Sequence, residues 1–177
     1  IDEISSVVKT LEKNRYTKEK AGKIIEKVEC DVDDSFFSLI KYKNGALGQH
    51  FVSWGGHGEA FSTPRIIYGT RGCIKGNILI KDDGSRANIS DLFEKNVKKE
   101  VKEKFFPYGI RDAMALETLD FVRAIKECHE METSGFEGLR DLAASYSLIE
   151  SSLTRKSIKV NDVESGKLCH YEDEINK

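Results

Sequence analysis

The apolar positions change period near the middle of the chain. Phe36, Phe37, Leu39, Ile40 and Tyr42 form a β-rich run that ends at Lys43-Asn44-Gly45. Asn-Gly between two apolar runs predicts a tight hairpin, with positive φ at both turn positions. The returning strand, Ala46 to Trp54, carries Leu47, Phe51 and Val52. It stops at Gly55-Gly56-His57-Gly58, a stretch too glycine-rich to continue a sheet. Shorter strands are expected at Arg65 to Tyr68, Cys73-Ile74, Asn77 to Ile80 and Ala87 to Ile89. Gly69-Thr70-Arg71-Gly72 and Asp82-Asp83-Gly84 supply the turns. The first half reads as an antiparallel meander. Ile4 to Leu11 fits a strand or a helix end, and the basic stretch Lys18 to Lys27 a loop or a helix.

The second half has a helical period. Leu116, Leu119, Phe121, Val122 and Ile125 fit an amphipathic helix from about Asp112 to His129. Leu139, Leu142, Tyr146, Ile149 and Leu153 recur at spacings of 3 and 4, an uninterrupted helical stripe, with Ser134-Gly135 as the turn between the two helices. Ser157 to Val160 closes the pattern as a strand, and the polar tail from Glu164 is expected to fray. Strands first and helices after predict an α+β domain. Its centre is one open, mainly antiparallel β-sheet with helices packed on one face and the apolar stripes as core.

Alternation along the hairpin bears on assembly. One face of the outgoing strand carries Phe37, Leu39, Lys41 and Lys43, the other Phe36, Ser38, Ile40 and Tyr42. The return strand sets Leu47, Gln49, Phe51 and Ser53 against Gly48, His50, Val52 and Trp54. Neither face is cleanly polar, so both are expected to contact protein, and a homo-oligomer formed sheet against sheet follows.

Composition narrows the function classes. The 177 residues, 39% of them hydrophobic, suit one domain with a single core. With 28 Lys and Arg against 30 Asp and Glu, the net charge of -2 gives nucleic acid no clustered basic surface. The charge run Glu94 to Lys104 mixes both signs and reads as a solvated helix face. No apolar run is long enough to span a membrane. Cys30, Cys73, Cys128 and Cys169 are widely and irregularly spaced, which points to reduced thiols in a cytoplasmic protein. Cys128-His129 and Cys169-His170 read as incidental neighbours, because adjacent side chains diverge, and no metal site is expected. The chain begins at Ile1 without Met and has only Pro64 and Pro107, which suits a domain of a larger protein.

The motifs exclude chemistry more than they supply it. Gly56-His57-Gly58 offers a GxG, but Phe61 stands where the third glycine of a dinucleotide fingerprint belongs. GxxxxGK[ST], HExxH and GxSxG are also missing, so no catalytic or cofactor-binding residue is assigned. One segment suits a polyhydroxylated ligand: Trp54 at a strand end, glycines that admit a ligand to the backbone, then His57 and Glu59. Tyr108 and Arg111, on the approach to a helix, form a second candidate pair. For both segments an ordinary polar loop is the competing reading.

Taken together, the pieces resemble the C-terminal domain of the glucose-fructose oxidoreductase, inositol dehydrogenase and rhizopine-catabolism (Gfo/Idh/MocA) family. The matching residues are Val32-Asp33-Asp34-Ser35, Tyr42 to Gly48, Ile67 to Ile74, Glu117 with Asp120-Phe121-Val122 and Ala124-Ile125, Ser134 to Arg140, Glu150-Ser151-Ser152 and Ile158-Lys159-Val160. Residues 11–30 match no pattern of the family, and Met114 stands where several members place an aromatic near the nicotinamide. The resemblance implies a two-domain oxidoreductase that acts on a sugar, cyclitol or related hydroxy compound. NAD or NADP would be bound mainly by an N-terminal Rossmann domain absent from this chain. The whole chain, residues 1–177, would be the substrate and oligomerisation domain, inactive alone. Family members carry a catalytic Lys in a Glu-Lys-Pro motif, which this chain lacks, and a catalytic His before a His-x-Ile-Asp stretch whose end Ile1-Asp2 resembles. The resemblance also places loops near the active site at the positions of Trp54, His57 and Glu59 and of Tyr108 and Arg111. The reading from another class is a non-catalytic ligand-binding or dimerisation module on the same fold.

Overall fold

A computed structural model describes residues 1–20, 22–56 and 65–175, with side chains up to residue 173. The chain starts with β1 (Glu3–Lys9), β2 (Asn14–Lys18), β3 (Ile24–Glu29), β4 (Ser35–Lys41) and β5 (Leu47–Ser53). Next come β6 (Ile66–Gly69), β7 (Gly72–Lys75), β8 (Ile78–Lys81) and β9 (Arg86–Asn88), then helices α1 (Ile89–Asn96), α2 (Lys99–Phe105) and α3 (Ala113–Glu127). It closes with α4 (Gly135–Thr154), β10 (Ile158–Lys159), α5 (Val160–Glu164) and α6 (Glu172–Ile175). The fold is α+β with antiparallel strand pairing, as the pattern predicts. It divides into two compact units, residues 1–61 with 133–177 and residues 62–132. The meander expected as one sheet is distributed over a four-stranded sheet in each unit and the two-stranded ribbon β2-β3. Residues 18–27, expected as loop or helix, belong largely to that ribbon.

In the first unit the sheet order is β10-β1-β4-β5. Ile4 pairs with Ile40 on one side and Ile158 on the other, so three isoleucines line up across three strands. With Ala143, Val160 and Val163 they make the buried core. The helical face that joins this core is shifted from the predicted stripe, of which Tyr146 packs against the core. Leu139, Leu142 and Leu153 are exposed, while Ala143, Ser147, Glu150 and Ser151 are buried. Small side chains one turn apart let a helix approach a sheet closely. The approach is close enough for hydrogen bonds: the Ser6 and Val8 amides donate to Ser151 Oγ (2.9 Å) and Ser152 Oγ (3.0 Å). The Ser6 hydroxyl donates to the Leu148 carbonyl. β10 pairs with only Glu3 and Ile4 of β1. Beyond them the α4 serines satisfy amides that an open sheet edge would leave bare.

Two local expectations are corrected. The β4-β5 hairpin forms, but its turn is wider than a two-residue one. The Gly45 amide donates to the Tyr42 carbonyl, and positive φ occurs at Gly45 (86°) but not at Asn44. Asn44 instead accepts the Ala46 amide through its side chain. The tail is anchored rather than frayed as far as the described side chains reach. Glu150, 0% exposed, accepts the Tyr171 amide (2.9 Å) and pairs with His170 Nδ1 (3.0 Å). The Tyr171 ring stacks on Tyr146 at 4.4 Å, and burial pushes its phenol pKa up.

In the second unit, β6-β7-β8-β9 form an antiparallel sheet that runs directly into α1. Asn88 caps that helix by accepting the Ser90 and Asp91 amides. Asp112 caps α3 in the same way through Ala115, close to the predicted start. The mixed charge run spans the end of α1 and α2 and lies on helix surface, as expected.

Candidate functional site

The site grows from a carboxylate whose role the sequence does not reveal. Asp34, 8% exposed, precedes β4. Its Oδ1 accepts the Leu11 amide (2.9 Å) and the Ser35 hydroxyl (2.8 Å). Its Oδ2 accepts the Glu12 amide (2.9 Å) and Arg15 Nη2 (3.2 Å). The Leu11 amide does most to hold this carboxyl below the usual range. Burial opposes it, and Glu12, Ser35 and Arg15 reinforce it.

Trp54 follows the last residue of β5 against this hub. Its amide donates to the Asp34 carbonyl (2.8 Å), and its own carbonyl accepts Arg15 Nη1 (3.1 Å). Ser35 Oγ and Ser53 Oγ share a 2.6 Å hydrogen bond, and the Gly55 amide donates to Ser53 Oγ. A Cβ at Gly55 would stand 2.7 Å from Asp34 Oδ2, so only glycine fits there without displacing the carboxylate. The Trp54 side chain nonetheless is 75% exposed. A fixed backbone presenting a largely exposed indole can stack against the apolar face of a ring-shaped ligand.

The other candidates are placed less uniformly. His57 and Glu59 lie outside the described residues. Tyr108 and Arg111 belong to the second unit, Trp54 to the first, and each is described within its own unit. Tyr108 sits in a 3₁₀ turn, Pro107–Gly109, with φ of 58° and 85% of its surface exposed. The Arg123 guanidinium lies 6.0 Å from its ring centroid. Arg111 is engaged internally: its Nη2 meets Glu94 Oε1 at 2.5 Å, and its guanidinium lies 5.5 Å from the Phe106 ring centroid. Lys102 takes Glu94 Oε2 at 2.7 Å, and hydrogen bonds from Lys102 and Arg111 hold the Glu94 carboxyl low. Arg111 thus joins α1 to the entrance of α3, which leaves Tyr108 the more accessible of the two.

Arg15 is the functional candidate that sequence reading missed. It lies in the stretch without a recognisable pattern, and its two contacts are distant in sequence. Asp34 did fall within a matched piece. An acidic residue just before an apolar strand, opposite Gly-Gly at the end of the next, is the signal that marks such a hub.

Among the described residues, strands run straight into helices at β9-α1 and β10-α5, through Asn88 and Lys159, and neither junction carries the glycines a pyrophosphate needs. Among the same residues no group of three or more His, Cys, Asp or Glu is placed to hold a metal ion, and no helix is long and apolar enough to cross a membrane.

A family model described as "Oxidoreductase family, C-terminal alpha/beta domain" matches residues 2–160. No curated protein matches the chain. Among solved structures, an oxidoreductase domain protein from Kribbella flavida is similar at 21% identity and a TM-score of 0.63, over 90% of this chain and 46% of that one. Levoglucosan dehydrogenase in complex with NADH and L-sorbose is similar at 21% identity and a TM-score of 0.60, over 92% and 46%. The super-repressor mutant of Gal80p from Saccharomyces cerevisiae is similar at 14% identity and a TM-score of 0.58, over 92% and 45%. The chain therefore spans about half the length of the solved structures it matches.

Proposed function

Because the chain belongs to the Gfo/Idh/MocA oxidoreductase family, as its C-terminal alpha/beta domain, we propose that it is the substrate-shaping and oligomerising part of a sugar or polyol dehydrogenase. The observation that carries this reading is the Trp54 platform: an exposed indole on a backbone locked by Asp34 and Arg15. NAD or NADP would be held mainly by an N-terminal Rossmann domain and would accept hydride from the carbon that bears the reacting hydroxyl, whose proton a Lys or His supplied upstream of this chain would take. This domain orients the carbon and excludes water, since a misplaced reactant forfeits most of the advantage of a near-attack geometry. Trp54, His57 and Glu59, with Tyr108 and Arg111, face the substrate. Partners are a carbohydrate-like small molecule and further copies of the same chain, in the cytoplasm, with neither nucleic acid nor membrane involved.

In the full-length protein, Trp54→Ala and His57→Ala should each lower kcat/KM roughly tenfold or more, about 1.4 kcal/mol of transition-state binding. Stability should change by about 1 kcal/mol or less for His57, and somewhat more for Trp54 if part of its ring is covered. Wild-type kcat/KM in both variants defeats the assignment of this loop to the pocket. The chain alone should not bind NADH or NADPH. A calorimetric dissociation constant below about 100 μM, roughly -5.5 kcal/mol, would contradict that.

The similarity to a Gal80p structure supports one competing reading, a non-catalytic ligand-binding or dimerisation module. A dinucleotide glycine motif and a Glu-Lys-Pro in the upstream sequence would decide for the enzyme.

A further inference from the structure

We propose that Arg15 is a positioning residue for the substrate: it sets the Trp54 platform, so that the β2-β3 ribbon tunes a pocket whose contact residues lie elsewhere. The inference rests on the reading of Trp54 as substrate-facing and adds to it the residue on which its placement depends. Arg15 is the second residue of β2, and it links the ribbon to the residue that follows β5. Its two terminal nitrogens divide their work. Nη1 donates to the Trp54 carbonyl at 3.1 Å, and Nη2 to Asp34 Oδ2 at 3.2 Å. The Asp34 backbone carbonyl in turn accepts the Trp54 amide at 2.8 Å, so the two residues of one ion pair hold the Trp54 peptide groups on both sides.

The chemistry favours arginine over other cations. A planar fork reaches two acceptors at a fixed separation, which a lysine ammonium on a flexible stem does less rigidly. The geometry leaves little slack. A Cβ at Gly55 would stand 2.7 Å from Asp34 Oδ2, so the glycine lets the backbone after Trp54 pass close to the carboxylate that Arg15 holds. The indole itself stays largely exposed, so this clamp does not serve to bury it. A two-stranded ribbon is marginal alone. Hydrogen bonds from the Leu11 and Glu12 amides to Asp34 moor its entry to the same hub, and the Cys30 amide donates to the Lys13 carbonyl across its base. A ligand of the sugar class, stacked on Trp54 by its C–H face, would feel a shift of the ribbon as a change in orientation rather than a loss of contacts.

The test uses the full-length protein labelled with 5-fluorotryptophan, with the Trp54 fluorine resonance assigned by its loss in Trp54→Phe. Arg15→Gln should shift or broaden that resonance and lower kcat/KM roughly ten- to hundredfold, mainly through kcat. Arg15→Lys should recover part of both effects. An unchanged Trp54 resonance in Arg15→Gln overturns the clamp. A shifted resonance with wild-type kinetics, where Trp54→Ala is impaired, overturns the positioning role while sparing the Trp54 assignment. Wild-type kinetics in Trp54→Ala itself removes the underlying reading, and the positioning role with it. If Arg15→Gln fails to fold, the same comparison is made with Arg15→Lys, for which an unchanged resonance and unchanged kcat overturn the proposal.

Discussion

Replacing Gly72 by alanine should cost about 3 kcal/mol or more and loosen the β6-β9 sheet. Gly72 opens β7 with φ of 143°, a conformation that side-chain-bearing residues rarely adopt. A Cβ there would stand 2.3 Å from the Ile80 carbonyl oxygen and 2.9 Å from the Lys81 Cα. Both obstacles are backbone of β8, the strand with which Gly72 pairs opposite Lys81. Nothing flexible is available to yield, so β7 and β8 must separate where they meet the β6-β7 turn. Gly84 provides the control, with φ of 80° and nothing within 4 Å of a new Cβ. Gly84→Ala carries only the left-handed penalty, about 1 kcal/mol. Thermal unfolding followed by circular dichroism should show Gly72→Ala about 10 °C below the parent. Hydrogen exchange should show amide protection lost across residues 66–88 in Gly72→Ala and retained in Gly84→Ala. Equal behaviour of the two variants would refute the steric account.

Phe51→Glu should convert an assembled protein into single protomers. The sheet face opposite α4 carries Val7, Phe37, Leu39, Leu47 and Phe51, all exposed. Phe37 and Phe51 stack at 4.2 Å with their planes 19° apart, directly paired across β4 and β5. A contiguous apolar surface of this kind is uncommon on a soluble monomer. We propose that a second copy covers it about a two-fold axis, which sets each patch against itself. Two-fold symmetry also doubles every substitution. At about 2 kcal/mol for each buried carboxylate, the pair weakens association roughly a thousandfold. Light scattering at micromolar concentration should give a multiple of the protomer mass for the parent and the protomer mass for Phe51→Glu. A protomer mass for the parent, or an unchanged mass for the variant, defeats the assembly.

The residues that decide these outcomes were unequally legible. Alternation alone sorted each hairpin strand into two sides, and the register puts Phe37 and Leu39 on one side with Leu47 and Phe51. The α3 and α4 helices begin at Asp112 and Ser134, whose side chains accept the amides of Ala115 and Glu137. Strand alternation, helix period and capping each act within a few residues, so one chain carries the whole signal. The family resemblance was legible for the same reason, through short pieces kept in order over residues 32–160.

Burial was less legible, because it depends on what an element meets. The leucine stripe of α4 is the stronger apolar pattern, yet the face with Ala143, Ser147 and Ser151 meets the sheet. Close approach and serine hydrogen bonds to an otherwise open strand edge selected that face over hydrophobicity. The placement of Trp54 is the same kind of fact. Composition identified an aromatic before glycines, but Arg15, Asp34 and Trp54 become neighbours only after β2, β4 and β5 have folded. What the sequence determined by itself was therefore the β4-β5 hairpin, the short strands β6 to β9, the long helices α3 and α4, and the two sides of each hairpin strand. The tertiary structure decided which helical face is buried and which residues hold the platform, because those hydrogen bonds join groups that only folding brings together.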